Sequence, residues 1–192
     1  MKILTVYALR AEAVALDTVA SPHQFIEIYT GIGKTQAAAS LAFALRSFSP
    51  DAVLNVGTAG TSRHHIGDIL VARHFVDRDL QKLPLDCVSK TIDVTDITFG
   101  ERLPSVVQGQ ETFDPMTVST GDSFVMSADE DLGCDAVDME SFALAWVCKQ
   151  ERVPFLSVKY ITDILGQNSV QAWADKLGNA RRDLQAYFHR YL

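Results

Sequence analysis

Cysteine, positive charge and long apolar runs are all scarce in this chain, and each scarcity excludes something. Cys87, Cys134 and Cys148 are three in number and show no paired spacing. That pattern fits neither a disulfide framework nor a zinc site, so three reduced thiols in a cytoplasmic protein are expected. Lysine and arginine total 17 against 24 aspartates and glutamates, a formal charge of −7. A nonspecific nucleic-acid binder needs a basic face, and none is expected here, although a small nucleoside needs few charges. No apolar run approaches the length of a membrane span, and MKILTVYALRAEA loses its apolar character at Arg10 without a cleavage site. Neither a membrane nor a nucleic acid is an expected partner.

What remains is ordinary for a globular chain: 192 residues, 47% hydrophobic and 21% charged. One domain over 1–192, with a core that needs no staples, is the expectation. Short apolar runs alternate with helical patterns. ILTVYAL reads as a buried strand and AEAVALD as a short helix carrying Glu12. FIEIYTG reads as a strand, KTQAAASLAFALRSF as a helix with a small, apolar inner face, and AVLNVGTAG as a strand after the Ser49-Pro50-Asp51 break. Ile69–Ala72 and Val118–Thr120 add strands, ESFALAWVCKQ a helix, FLSVKYITD a strand after Pro154, and SVQAWADKLGNARRDLQAYFHRYL a closing amphipathic helix. The polar segment from Gln81 to Pro115 offers a strand or two at most. Strands alternating with helices predict a three-layer α/β domain around a mixed sheet.

The stretch YTGIGKTQAAA invites comparison with a phosphate-gripping loop. Such a loop requires G-x-x-x-x-G-K-[ST], because its first glycine lets backbone amides wrap the phosphates. Counting back from Gly33, that position is Ile28, a β-branched residue within a strand. The spacing excludes a triphosphate loop. Gly31 and Gly33 are instead expected to make a tight turn between strand and helix, a place where ligands also gather.

Four other strand ends carry suggestive side chains: Gly57-Thr58-Ala59-Gly60, Gly121-Asp122-Ser123-Phe124, Asp138-Met139-Glu140 and Ile161-Thr162-Asp163. An acid at a strand-to-helix junction is usually a helix cap, so each alone says little. Together and in this order they resemble the nucleoside phosphorylase superfamily, and within it the methylthioadenosine/S-adenosylhomocysteine nucleosidase branch. The resemblance runs nearly end to end, through Glu12, YTGIGKTQAAA, VLNVGTAG, IGDILVA, STGDSFV and AVDMESFALAWVCKQERVPFLSVKYITD.

It implies a partly closed mixed sheet flanked by helices, a purine nucleoside as substrate, no cofactor or metal, and a homodimer. It also implies roles. Asp163 matches the acid that protonates or hydrogen-bonds purine N7, and its pKa is expected to be raised by burial. Glu12 matches the base that orients and deprotonates water, and Thr58 replaces a usual serine near that water. Asp138, Met139 and Glu140 form the sugar-binding triplet, in which Glu140 grips the ribose hydroxyls and Met139 packs beneath the ring. Phe124 matches the ring that stacks on the purine, and the Val125 backbone reads the base edge.

Asn55 stands two residues before Gly57, where phosphorylase relatives often place arginine, and no G-D-P-x-R block opens the chain. A carboxylate near the nucleophile repels phosphate, so water is the expected nucleophile; a phosphorylase and a noncatalytic nucleoside binder are the alternatives. Departures from the family pattern are Thr61 for a second glycine, Lys159-Tyr160 before Ile161-Thr162-Asp163, and a short Gln81–Pro115 segment. Arg78-Asp79 is expected to pair at the surface, with a reach into the pocket as the alternative, and His64-His65 to be solvated loop residues.

Overall fold

The computed structural model describes residues 1–125, 127, 133–166 and 169–192. Its elements run β1 (Lys2–Tyr7), β2 (Gln24–Tyr29), α1 (Lys34–Phe48), β3 (Ala52–Thr61), β4 (Ile69–Asp77), α2 (Arg78–Gln81) and β5 (Thr91–Asp93). Then follow β6 (Ser105–Val107), β7 (Gln110–Thr112), β8 (Met116–Thr120), β9 (Ala136–Asp138), α3 (Ser141–Glu151), β10 (Phe155–Ile164) and α4 (Ser169–Tyr191). The three-layer α/β architecture expected from the alternation is the one formed.

All ten strands belong to one mixed sheet. β1 lies parallel between β2 and β3, and β3 runs parallel to β10. β10 is antiparallel to β4, β4 parallel to β8, and β8 parallel to β9. A bridge between Gly60 and Val137 returns β9 to β3. β3, β10, β4, β8 and β9 therefore close a ring, and their ends surround a common space.

Alternation along the buried strands sorts side chains into two cores, as a sheet covered on both faces requires. Leu4 and Val6 of β1 pack with Ala37, Leu41, Phe142 and Leu144 of α1 and α3. Ile3 and Tyr7 face the other way, with Leu54, Val158, Leu184 and Phe188. α4 and the N-terminal turns cover that second face.

The differences from the sequence expectation have local causes. AEAVALD forms no α-helix: Arg10–Glu12 and Leu16–Thr18 are single 3₁₀ turns. Each buries one side chain, Glu12 and Leu16 respectively, which a short turn does without a helical stripe. β4 continues past Ala72 to Asp77, whose carboxylate caps α2 by accepting from the amides of Asp79 and Leu80. The Gln81–Pro115 segment yields three strands, β5 and the β6–β7 hairpin, each of three residues and too short for a periodicity to register.

Candidate active site

A cavity of about 780 Å³, its open mouth included, lies at the ends of the ring strands. Glu12, Thr58, Phe124, Val125, Asp138, Met139, Glu140 and Asp163 all border it, as do Arg78 and Trp173. Every residue proposed from sequence for the site is thus brought to one place.

Glu12 is buried although its turn is short. Its Oε1 accepts from the Thr58 amide at 3.0 Å and the Thr58 hydroxyl at 2.8 Å, and its Oε2 from the Leu9 amide at 3.2 Å. A Cβ on Gly57 would stand 3.3 Å from Oε1, so the small residue lets strand β3 pass close beside the carboxylate.

Asp163 owes its position to an irregularity. The β10–β3 register shifts between Ile161, opposite Ala59, and Asp163, opposite Gly60. Such a bulge re-aims the side chain that follows it. Asp163 is 3% exposed, and Oδ1 accepts from the Thr162 hydroxyl at 2.8 Å. A Cβ on Gly60 would lie 2.8 Å from Oδ2, which no real contact permits; the G-T-A-G block ends in glycine because Asp163 occupies that space.

The D-M-E triplet divides its labour. Asp138 borders the cavity, yet its carboxylate is spent within the protein. It accepts from Thr120 Oγ1 at 2.6 Å, from the Ser141 amide and hydroxyl, and from Lys159 Nζ at 2.9 Å. Burial alone would raise its pKa, but the Lys159 ammonium and these hydrogen bonds hold it below the usual carboxylate range. Lys159 is 2% exposed; burial opposes its charge, and Asp138, Glu140 and Glu12 together outweigh that and keep its pKa raised. Glu140 is different. Its Oε1 accepts from the Gly33 amide at 2.9 Å, while burial and the neighbouring Asp138 charge push its pKa up to about 7. Met139, between them, is half-buried against the cavity.

The glycine–lysine turn now has its explanation. Gly33 adopts φ +96°, a conformation that favours glycine, and turns its amide to Glu140. The next amide, of Lys34, donates to Asp122 Oδ1 at 2.7 Å, so a carboxylate sits at the N-terminus of α1 where a phosphate would sit in a nucleotide loop. The Lys34 ammonium reaches both oxygens of Asp77, at 2.9 and 3.0 Å, and Asp79 at 2.8 Å; Asp79 in turn accepts from the Asp122 amide. One side chain ties the turn that holds Glu140 to the loop that carries Phe124.

Arg78 is the clearest departure from expectation. It is no surface residue but 2% exposed, donating to the carbonyls of Ser119, Asp138, Gly121 and Ser123. A Cβ on Gly121 would stand 2.7 Å from its side chain. The expected surface partner, Asp79, pairs with Lys34 instead. His65 is solvated as expected, but His64 is held by Asp135 at 3.0 Å. Thr61 uses its hydroxyl to cap the turn that a glycine would make, accepting from the amides of Arg63 and His64. Among the described residues, no group of three His, Cys, Asp or Glu is arranged to hold a metal.

Two contributors to the site's support carry a sequence signal of their own. A lysine inside the apolar run FLSVKYITD must find a buried carboxylate, which identifies Lys159. Asn55, inside AVLNV, likewise needs partners, and it donates to Val6 O and accepts from Ser141 and Ser157. Trp173 had no such signal, since one aromatic on an amphipathic helix is ordinarily core.

A partly closed mixed sheet with acids converging from several strand ends is an arrangement with known counterparts. The crystal structure of a 5′-methylthioadenosine/S-adenosylhomocysteine nucleosidase from Helicobacter pylori with butyl-thio-DADMe-Immucillin-A matches 100% of this chain and 97% of that one. Its TM-score is 0.81 at 19% identity. The chain belongs to the phosphorylase superfamily, whose family model matches residues 23–192. Its curated relatives there are 5′-methylthioadenosine/S-adenosylhomocysteine nucleosidases. One from Bacillus velezensis is 32% identical over 164 residues, 76% of this chain and 71% of the relative. One from Staphylococcus carnosus is 30% identical over 172 residues, 80% and 74% respectively.

Two outcomes follow from this geometry. Lys34→Ala releases the Phe124 loop from the turn that holds Glu140, so KM rises about 3- to 30-fold while kcat changes less, and Lys34→Arg recovers part of the loss. Steady-state kinetics returning a wild-type KM for Lys34→Ala would remove Lys34 from the site's support. Glu140 carries a proton below about pH 7 and is a carboxylate above it. Sugar hydroxyls donate, so an unreactive nucleoside analogue binds more tightly as pH rises toward 7, by up to roughly tenfold per unit, and then levels. Calorimetric titration of Glu140→Gln should lose this pH dependence; if the variant keeps it, another group is responsible.

Proposed function

We propose that the protein hydrolyses the N-glycosidic bond of a purine nucleoside of the methylthioadenosine/S-adenosylhomocysteine kind, releasing free base and sugar. One observation carries this: Glu12 and Asp163, the two groups that a hydrolytic cleavage requires and a binder does not, are both buried at one cavity with supporting donors. As the bond to the base lengthens, negative charge grows on the purine and positive charge on the sugar. Asp163 hydrogen-bonds or protonates N7, Glu140 holds the ribose hydroxyls with Met139 beneath the ring, and Phe124 stacks on the base beside the Val125 backbone. Glu12, with Thr58, orients the water and takes its proton. Asp138 serves this set through Lys159 and Ser141 rather than by touching substrate.

Water rather than phosphate is favoured by where the arginines go. Arg10 stacks over Tyr29, 4.4 Å from the ring centre, and Arg78 is spent on backbone carbonyls. Asn55, at the position where phosphorylase relatives often have arginine, is buried in a hydrogen-bond network. The Glu12 carboxylate, beside the site of the nucleophile, would repel a phosphate dianion.

The finer expectations belong to the same proposal. The chain is read as one catalytic domain over 1–192, acting in the cytoplasm, with Cys87, Cys134 and Cys148 present as thiols rather than disulfides in support. No helix among the described residues is long and apolar enough to cross a membrane. A homodimer is supported by exposed apolar side chains at the cavity mouth, Ile32 and Phe124, and on the packed pair α1 and α3, Phe43 and Trp146. Sedimentation should report twice the 21.1 kDa chain mass; a single-chain mass at assay concentration contradicts the dimer.

The activity is tested with a nucleoside panel monitored for free base. Release should proceed at full rate in phosphate-free buffer. Asp163→Asn and Glu12→Gln should each lower kcat by about 10²–10⁴-fold with little change in inhibitor affinity, and Thr58→Val by a smaller factor. Strong acceleration by phosphate would make the protein a phosphorylase, and a loss below tenfold in Asp163→Asn would place the proton donor elsewhere.

A further inference from the structure

The indole of Trp173, in the second turn of α4, borders the cavity, and its Nε1 lies 2.8 Å from Thr58 Oγ1. Thr58 Oγ1 lies 2.8 Å from Glu12 Oε1. We propose that Trp173 is a positioning residue for hydrolysis: its N–H fixes the rotation of the Thr58 hydroxyl, and through it the orientation of the attacking water. The inference rests on the hydrolytic function proposed above and adds to it a residue on a different element.

The direction of this chain of hydrogen bonds follows from the groups themselves. An indole N–H only donates, a carboxylate only accepts, and a threonine hydroxyl has one proton and two lone pairs. Trp173 must therefore donate to Thr58, and the Thr58 proton goes to Glu12. One lone pair of Oγ1 is left. On Glu12, the Thr58 amide and hydroxyl and the Leu9 amide take three of about four acceptor sites. One site is left there as well.

A water seated between these groups gives one proton to Glu12 and the other to Thr58 Oγ1. Both of its protons are then engaged, and a lone pair remains for the sugar carbon as the bond to the base breaks. Water acts as a nucleophile only through such a lone pair. If the Thr58 hydroxyl rotated to donate to the water instead, it would take up one of the water's two lone pairs and leave the proton on that side unheld. The remaining lone pair would then no longer be aimed at the sugar carbon. The Trp173 N–H opposes that rotation, because a hydroxyl accepting from the indole keeps its proton on the Glu12 side. A phenyl ring at the same place would fill the space without this effect.

The test is Trp173→Phe, with replacement of Trp173 by benzothienylalanine as an isosteric second variant that exchanges only the N–H for sulfur. Both should lower kcat about 3- to 10-fold, the worth of one hydrogen bond, with KM and the affinity of an unreactive analogue changed less than about twofold. The decisive readout is a double-mutant cycle with Thr58→Val. Once the hydroxyl is gone, Trp173→Phe should cost nothing further. A wild-type kcat in both Trp173 variants overturns the inference, as do losses at 58 and 173 that simply multiply. If Glu12→Gln collapses turnover while the Trp173 variants are unimpaired, the hydrolytic function stands and this inference alone falls. If Glu12→Gln keeps its turnover, both fall.

Discussion

The ion pair between Lys159 and Asp138, both nearly inaccessible to solvent, is the constraint on which the site depends. Glu12, Asp138, Glu140 and Asp163 converge on one cavity, and four acids cannot share a buried space as four anions. The ammonium of Lys159 draws Asp138 firmly into its charged form, whereas at Glu140 burial and the Asp138 charge outweigh Lys159 and the Gly33 amide, and it rises toward neutrality. Ordinary packing could not make that distinction. A buried pair of this kind contributes little net stability, yet losing one partner leaves an uncompensated charge. Its value here is to let neighbouring carboxylates take different protonation states and so different tasks.

Two backbone devices put those acids in place. The bulge at Thr162 carries Asp163 opposite Gly60, where no side chain is tolerated. The Gly33 turn aims an amide at Glu140, and the Lys34 ammonium secures that turn to Asp77 and Asp79. Arg78 does the corresponding work for the loop that leads to Phe124, gathering carbonyls of Ser119, Gly121, Ser123 and Asp138. The cations of the site are thus committed to holding loops and acids in place. That leaves an acid-rich cavity suited to stabilising a developing sugar cation and ill suited to an anionic nucleophile.

Much of this was legible in the sequence, and the part that was not has identifiable reasons. Long buried strands such as β3 and β10 announce themselves as apolar runs, and the strand-end motifs carry the site residues in order. Glu12 was found, but its helix was not real, because a turn that buries one side chain has no period. Arg78 reads as a solvated charge until the four carbonyls it gathers, from two separate strand ends and the following loop, are seen together. In the sequence Asp138 reads with Met139 and Glu140 as a substrate group; only the fold reveals that Lys159, distant in sequence, claims its carboxylate. The Trp173 contact spans 115 residues and leaves no local trace at all.

The account's central claim is that water, held by Glu12, attacks the sugar. Turnover of a nucleoside labelled with ¹³C at the anomeric carbon, run in ¹⁸O-water with phosphate present, tests it directly. The account predicts that the released sugar carries one ¹⁸O at that carbon, seen as an isotope shift in its ¹³C resonance, with no sugar-1-phosphate formed. An unlabelled anomeric oxygen joined to phosphate would contradict it.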